Sequence, residues 1–356
     1  MITVTKAYLP AYKEYEKYLK KIWASGWLTN HGPMVNELEE KLKKYLGVKH
    51  LIYTNNGTIA LQIAIKALNL KGEIITTPFS YVATTNSILW EGCTPVFADI
   101  NDSDFNINPD KIIPLINKKT AAILATHVYG NPCDVEAIKK IAAGYNLKII
   151  YDGAHAFATT LNNKKVLSFG DVSTCSFHAT KLFHTVEGGA VITNDDEVAE
   201  KMMLYRQFGH IGDKYFSIGI NGKNSEFHAA MGLCLLPMMK QFIGKRKKIT
   251  ALYDKLLRDV HLQRPESIAG TVYNYCYYPV VFENEEKMLI TKSLLQKNEI
   301  NTRRYFYPSL NNLPQYKGEA CPVSESISSR VLALPMYYDL TEEDVSKICD
   351  LIKTCR

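Results

Sequence analysis

Three features of the sequence predict an α/β chain with a large domain on a mostly parallel sheet and a smaller C-terminal α/β domain. Short β-branched runs alternate with helical patterns, which is how a parallel sheet covered by helices is written. The runs are nearly continuous in apolar residues, as strands buried on both faces require. With 356 residues and 46% apolar composition, the chain is also long enough to bury a full core and to divide in two.

The elements follow in order. EIITT (73–77) reads as a strand, SYVATTNSILWEG (80–92) as a helix and TPVFADI (94–100) as a strand. A loop and helix lead to strand AAILATHVYG (121–130), helix DVEAIKKIAAGY (134–145) and strand LKIIYD (147–152). Two further strand runs, VSTCSFH and GGAVITN, precede a helix near DDEVAEKMMLYRQFG. A long helical region from Ser225 to Leu257 leads to strand YCYYPVVF, helix KMLITKSLLQK, strand NTRRYF and closing helix EEDVSKICDLIKT. No repeat or low-complexity linker interrupts them, and the boundary is placed between residues 1–240 and 241–356.

Composition narrows the function. No apolar run approaches the ~20 residues that span a bilayer, and the first residues lack the pattern of a secretory signal. The cytoplasm is therefore expected, with no membrane partner. Eight cysteines are scattered without a C-x-x-C pair, so neither a metal site nor a disulfide framework is expected. A formal charge of +6 spread over Lys-rich helix faces allows an anionic small molecule and does not point to nucleic acid. No G-x-x-x-x-G-K-[ST] loop occurs, and no G-x-G-x-x-G follows a strand.

Open α/β sheets bind ligands at the carboxyl ends of their strands, and four stretches fall there. In YTNNGTIAL, Gly57 and Thr58 open a helix whose free N–H groups and positive dipole end suit a phosphate; the same stretch also reads as a plain turn and helix cap. In TPFSYVATT, Tyr81 stands near a helix start, where a ring offers a face to a ligand or joins the core. In IIYDGAHAF, Asp152 ends a buried strand and needs a partner, because a desolvated carboxylate is costly unless paired. It reads either as a cap for the next segment or as the partner of a protonated heteroaromatic nitrogen, with His155 a second polar contact. In SFHATKLFHTVEGGA, Lys181 follows a strand, Ser176 can take an anion, and Gly188 and Gly189 allow close backbone approach.

These stretches, Gly57-Thr58, the aromatic of FSYVAT, Asp152 to His155, SFHATK and EGGA, followed by GINGKNSEFHAAMG, resemble the sugar-nucleotide aminotransferases of the DegT/DnrJ/EryC1/StrS family. The resemblance runs from GWLTNHGP to LALPMYYDL. It implies the aspartate-aminotransferase (type I) fold and the cofactor pyridoxal 5′-phosphate. Lys181 then matches the lysine that forms the Schiff base and moves the substrate proton, and Asp152 the carboxylate on the pyridinium nitrogen. Tyr81 matches the ring-stacking aromatic, Gly57, Thr58 and Ser176 the phosphate cup, and His155 a further cofactor contact. Asn221 matches an asparagine reaching the phosphate of the neighbouring subunit, which implies a homodimer with shared sites.

The family's sugar dehydratase branch carries histidine at the lysine position, so Lys181 favours transamination. Where many relatives read GYNYRM this chain reads GINGKN, placing Gly222 and Lys223 at the aromatic and arginine positions. The fuller pattern looks most like enzymes that aminate dTDP-4-keto-6-deoxyglucose with L-glutamate as donor, in surface-polysaccharide or O-antigen biosynthesis. Amination at C3 and a non-catalytic regulator on the same fold are the alternatives. Arg303 and Arg304 are the candidate contacts for a substrate anion, and they read equally as ordinary charges at a strand end.

Overall fold

A computed structural model describes residues 1–316 and 318–355. Its centre is a seven-stranded sheet: β1 (His50–Thr54), β2 (Glu73–Thr76), β3 (Thr94–Phe97), β4 (Thr120–Thr126), β5 (Lys148–Asp152), β6 (Val172–Ser176) and β7 (Gly189–Thr193). The spatial order is β1-β7-β6-β5-β4-β2-β3, and only β7 runs against its neighbours.

Alternation of side chains across the pleat fills two cores. Ile123 and Ala125 of β4 and Ile149 and Tyr151 of β5 face one apolar cluster; Ala122, Leu124 and Ile150 face another. Helix Pro33–Leu46 supplies Val35, Leu38 and Leu42 to the first, and helix Gly57–Ala67 supplies Ala60, Leu61 and Ala64 to the second. Burial on both faces explains why the strand runs are apolar throughout.

A third cluster is built by the antiparallel pair Tyr278–Val281 and Val331–Leu334, helices Glu285–Lys297 and Glu342–Thr354, and the later part of helix Met239–Leu256. That last helix gives Met239 and Phe242 to the first core and Ile249 and Tyr253 to this one. Ile2 bridges Ile300 here.

The expected helical region 225–257 is built of two helices, Glu226–Leu235 and Met239–Leu256, joined by a 3-10 turn at Leu236–Met238; Pro237 in that turn supplies no N–H to a continuous helix. One expectation needs correction. NTRRYF is not a strand: Arg303 alone bridges Ala333, and Tyr305 and Phe306 leave the ladder to pack beside His155 and Tyr129. The small sheet's second strand is instead Val331–Leu334.

Candidate active site

The carboxyl ends of β1, β4, β5 and β6 and the start of β7 converge on a cavity of about 300 Å³, at the low end of the range for small-molecule sites. Its walls include Gly57, Thr58, Tyr81, Asp152, His155, Ser176, Lys181 and Arg303.

One end is formed by a helix start. Asn56 caps helix Gly57–Ala67 by accepting from the Ile59 N–H at 2.8 Å, which leaves the Gly57 and Thr58 N–H groups at the helix start for a ligand. The turn-and-cap reading of this stretch is thus seen directly, and the capped helix start lines the cavity. Ser176 lies against Gly57 so closely that a Cβ there would sit 3.0 Å from the Ser176 Cβ. A Cβ on Gly189 would come within 2.5 Å of the Asn56 carbonyl carbon, and one on Gly188 within 2.0 Å of Thr185 Oγ1. Gly189 thus lets the start of β7 lie against the Asn56–Gly57 turn, and Gly188 lets the chain pass Thr185 and Tyr53.

The lysine returns to this edge through a doubled-back loop, in which Phe177 donates to the Gly188 carbonyl at 2.7 Å and Thr185 to the Phe177 carbonyl at 2.9 Å. Burial lowers the Lys181 ammonium below its ordinary pKa, while Asp152 opposes the shift. Lowering of this kind brings a lysine toward use as a base near neutrality.

Asp152 is 5% exposed. Its Oδ2 accepts from Thr84 Oγ1 at 2.7 Å and its Oδ1 from the Ala154 N–H at 3.0 Å. Burial raises its pKa, and these two bonds and Lys181 pull it back. Each oxygen keeps a lone pair for a ligand N–H. The Thr84 hydroxyl also meets Ser80 at 2.7 Å, and Ser80 meets Thr126 at 3.1 Å. His155 is buried, with Nε2 3.2 Å from the Tyr305 hydroxyl; burial, with Lys181 and Arg303 adding to it, holds the ring neutral.

Tyr81 is half-exposed before helix Val82–Trp90, its ring 6.4 Å from that of Tyr305. The Arg303 guanidinium lies 4.4 Å from the Tyr305 ring centre and 5.9 Å from that of Tyr81. Among the described residues no carboxylate pairs with it. Arg304 is not brought to the cavity. It donates to Glu285 at 2.6 Å and to the Ser329 carbonyl at 2.8 Å, and lies over the Tyr307 ring. Asn221 is exposed and does not line its own chain's cavity.

Thr84, Tyr305 and Glu187 also build the site, and the sequence reading gave them no role. Thr84 stands three residues after Tyr81, hence one turn away on the same side of the chain. Glu187 stands in the EGG run beside the two close-packed glycines.

Comparison places this geometry among known proteins. The sequence profile of the DegT/DnrJ/EryC1/StrS aminotransferase family matches residues 11–353. A dTDP-4-amino-4,6-dideoxy-D-glucose transaminase of Escherichia coli is 43% identical, over 99% of this chain and 98% of its own. A GDP-perosamine synthase of Vibrio cholerae is 33% identical over 95% of both chains. The crystal structure of DesI with its TDP-sugar product superposes with a TM-score of 0.95 at 30% identity, covering 99% of this chain and 92% of that one.

Proposed function

The chain belongs to the DegT/DnrJ/EryC1/StrS aminotransferase family, and on that premise we propose that it transfers an amino group from L-glutamate to dTDP-4-keto-6-deoxyglucose, giving dTDP-4-amino-4,6-dideoxyglucose for a surface polysaccharide or O-antigen. The observation that carries this reading is the 43% identity along the whole chain to an enzyme of that name, together with a cavity that holds both Lys181 and Asp152.

The cofactor of the family is pyridoxal 5′-phosphate, and the donor set fits it. The free N–H groups of Gly57 and Thr58 with the Ser176 hydroxyl suit the phosphate, Asp152 a protonated ring nitrogen, and Tyr81 a ring face. Bound there, the cofactor supplies an aldehyde that carries the amino group and a ring that accepts electrons from the neighbouring carbon. The protein's own part is electrostatic and positional. Asp152, anionic and anchored by Thr84 and Ala154, favours a positive charge beside it. Lys181 Nζ, with its proton affinity reduced by burial, takes the α-proton of the donor and returns one to the sugar carbon. Neutral His155 adds no charge to compete with Asp152. Arg303 stands ready for a substrate anion.

A homodimer with Asn221 crossing to the partner's phosphate cup belongs to the same proposal. It is supported by the hairpin 208–220, which exposes Phe208, Ile211, Tyr215, Phe216 and Ile218, an apolar patch of the kind that marks interfaces. Asn221 ends that hairpin and bridges Gln207, and the Gly222 carbonyl just after it accepts from the Asn55 N–H at 2.9 Å. The cytoplasm is the proposed compartment, supported by eight cysteines that are all free; among the described residues no helix is long and apolar enough to cross a membrane.

The test is to incubate the holoenzyme and glutamate separately with 3-keto and 4-keto hexoses linked to dTDP and to GDP, and to locate the new amine by NMR. The expected product carries it at C4 of the dTDP sugar. An amine at C3 overturns the position, turnover of GDP sugars alone overturns the base, and a visible band that glutamate leaves unchanged overturns transamination.

A further inference from the structure

We propose that the Glu187 carboxylate selects the sugar by accepting a hydrogen bond from one of its hydroxyl groups, an inference that rests on the sugar-nucleotide reading above. The backbone of Glu187 is fixed from several directions. Its carbonyl accepts from Thr185 Oγ1 at 2.8 Å and from Asn224 Nδ2 at 2.9 Å. Asn224 Nδ2 also meets the Tyr53 hydroxyl at 3.0 Å, which ties this turn to the end of β1. Gly188, next in the chain, has no room for a side chain. Val186, just before, is held at φ +66°, a region that β-branched residues rarely enter and that is found where surrounding structure dictates the backbone.

Against this rigid backbone the carboxylate reaches into the cavity rim without a lysine or arginine partner among the described residues. Glu187 lines the cavity, and His178 Nε2 lies 3.7 Å from its Oε1. The cavity's anion-binding groups are already accounted for by the helix start, Ser176, Lys181 and Arg303. Asp152 is enclosed, whereas Glu187 remains about half-exposed at the rim. An ionised carboxylate only accepts, so its ligand must donate: either a sugar hydroxyl or the ammonium of the amino donor. The location favours the hydroxyl, because Glu187 stands at the rim, where the bulk of a nucleotide-linked hexose must lie when its keto carbon is at Lys181.

The two half-reactions separate these choices. Holoenzyme, Glu187→Gln and Glu187→Ala are each treated with glutamate alone, followed by the visible band, and the aminated form is then treated with the dTDP-keto hexose and with an analogue lacking one ring hydroxyl. Glu187→Ala is expected to lose about tenfold to a hundredfold in kcat/KM for the sugar step, mainly through KM, as for a lost hydrogen bond to a charged group. Glu187→Gln should lose less, since an amide oxygen still accepts. The glutamate step and the cofactor band should hold, and the alanine variant should no longer discriminate against the deoxy analogue. A slowed glutamate step with an unaffected sugar step assigns the carboxylate to the donor ammonium and overturns the proposal, as does an unchanged KM. If the wild type reacts with glutamate and then with no sugar nucleotide, the substrate reading fails and takes this assignment with it. Turnover by the wild type with undiminished discrimination in Glu187→Ala removes Glu187 alone.

Discussion

Asp152 holds its charge through bonds on two different oxygens, and the two come from different elements: Thr84 on helix Val82–Trp90 and the Ala154 N–H just past β5. Replacing Thr84 by Val keeps the shape and removes the hydroxyl, so burial raises the Asp152 pKa further and less of it is anionic. The expected loss in single-turnover rate is about tenfold, the scale of one hydrogen bond to a charged group. Asp152→Asn, which removes the charge itself, should cost ~10² to 10³ or more while cofactor still binds. Rapid-mixing spectroscopy on both variants checks the order; a Thr84→Val loss equal to that of Asp152→Asn would mean that the hydroxyl holds the helix rather than the charge. Asp152 stood out in the sequence because a charge at the end of a buried strand breaks a local rule, and Lys181 because it follows a strand with Gly57-Thr58, Asp152 and Ser176 all upstream at sheet edges. Thr84 breaks none, since a threonine in an apolar helix is ordinary until the fold turns it toward a carboxylate. The same limit separates Arg303 from Arg304: adjacent residues face opposite ways in extended chain, but which of them faces the cavity depends on Glu285 and Ser329, distant in sequence.

At the scale of elements, the GWLTNHGP loop is fastened by buried charge. Arg206 donates to Glu39 at 2.8 Å and to His31 Nδ1 at 3.0 Å, while His31 Nε2 lies 3.4 Å from Glu39. Glu226 accepts from the Met34 and Val35 N–H groups at 2.7 and 3.1 Å, capping helix Pro33–Leu46. A neutral His31 accepts from the arginine and donates to the glutamate; a protonated one sets an N–H against the guanidinium. Burial, with Arg206 adding to it and Glu226 opposing, accordingly lowers the His31 pKa to about 4, against ~6.5 in the unfolded chain. Between those values the unfolded chain binds more protons, so the His31 contribution to stability is present above pH ~6.5 and is lost as pH falls toward 4. Glu39, whose pKa burial raises, works in the opposite direction. The urea midpoint at fixed cofactor should therefore fall more steeply from pH 6.5 to 4.5 in wild type than in His31→Asn. Parallel curves would mean that His31 titrates alike in both states. The buried strands β2 to β7 were legible from sequence as continuous apolar runs set between helical patterns. NTRRYF was misread because its aromatic end, Tyr305 and Phe306, packs beside the cavity instead of pairing, and VLAL went unassigned because so short an apolar run carries no period of its own.

At the scale of the whole molecule, one chain encloses the lysine, the aspartate and the helix start, yet leaves Asn221 exposed beyond them at the end of an apolar hairpin. A second subunit covering that hairpin would bury the patch and carry each Asn221 to the other site, and mixing two damaged subunits distinguishes this from a self-contained site. Lys181→Ala and Asn221→Ala are each expected to be impaired as homodimers, the first without the amine that attacks and shuttles protons, the second with a weakened phosphate cup. In a heterodimer of the two, crossing puts both lesions on one site: the site with the mutant lysine also receives the mutant asparagine. The other site receives wild-type residues from both chains. With a two-fold axis and free exchange, half the dimers in an equal mixture are mixed and each has one intact site, so activity should return to about a quarter of wild type per total site. If Asn221 serves its own subunit, the mixed dimer has one lysine-dead and one asparagine-dead site, and mixing gives only the average of the two parents. Activity that stays at that average, with exchange confirmed by mass spectrometry, would remove Asn221 from the partner's phosphate cup.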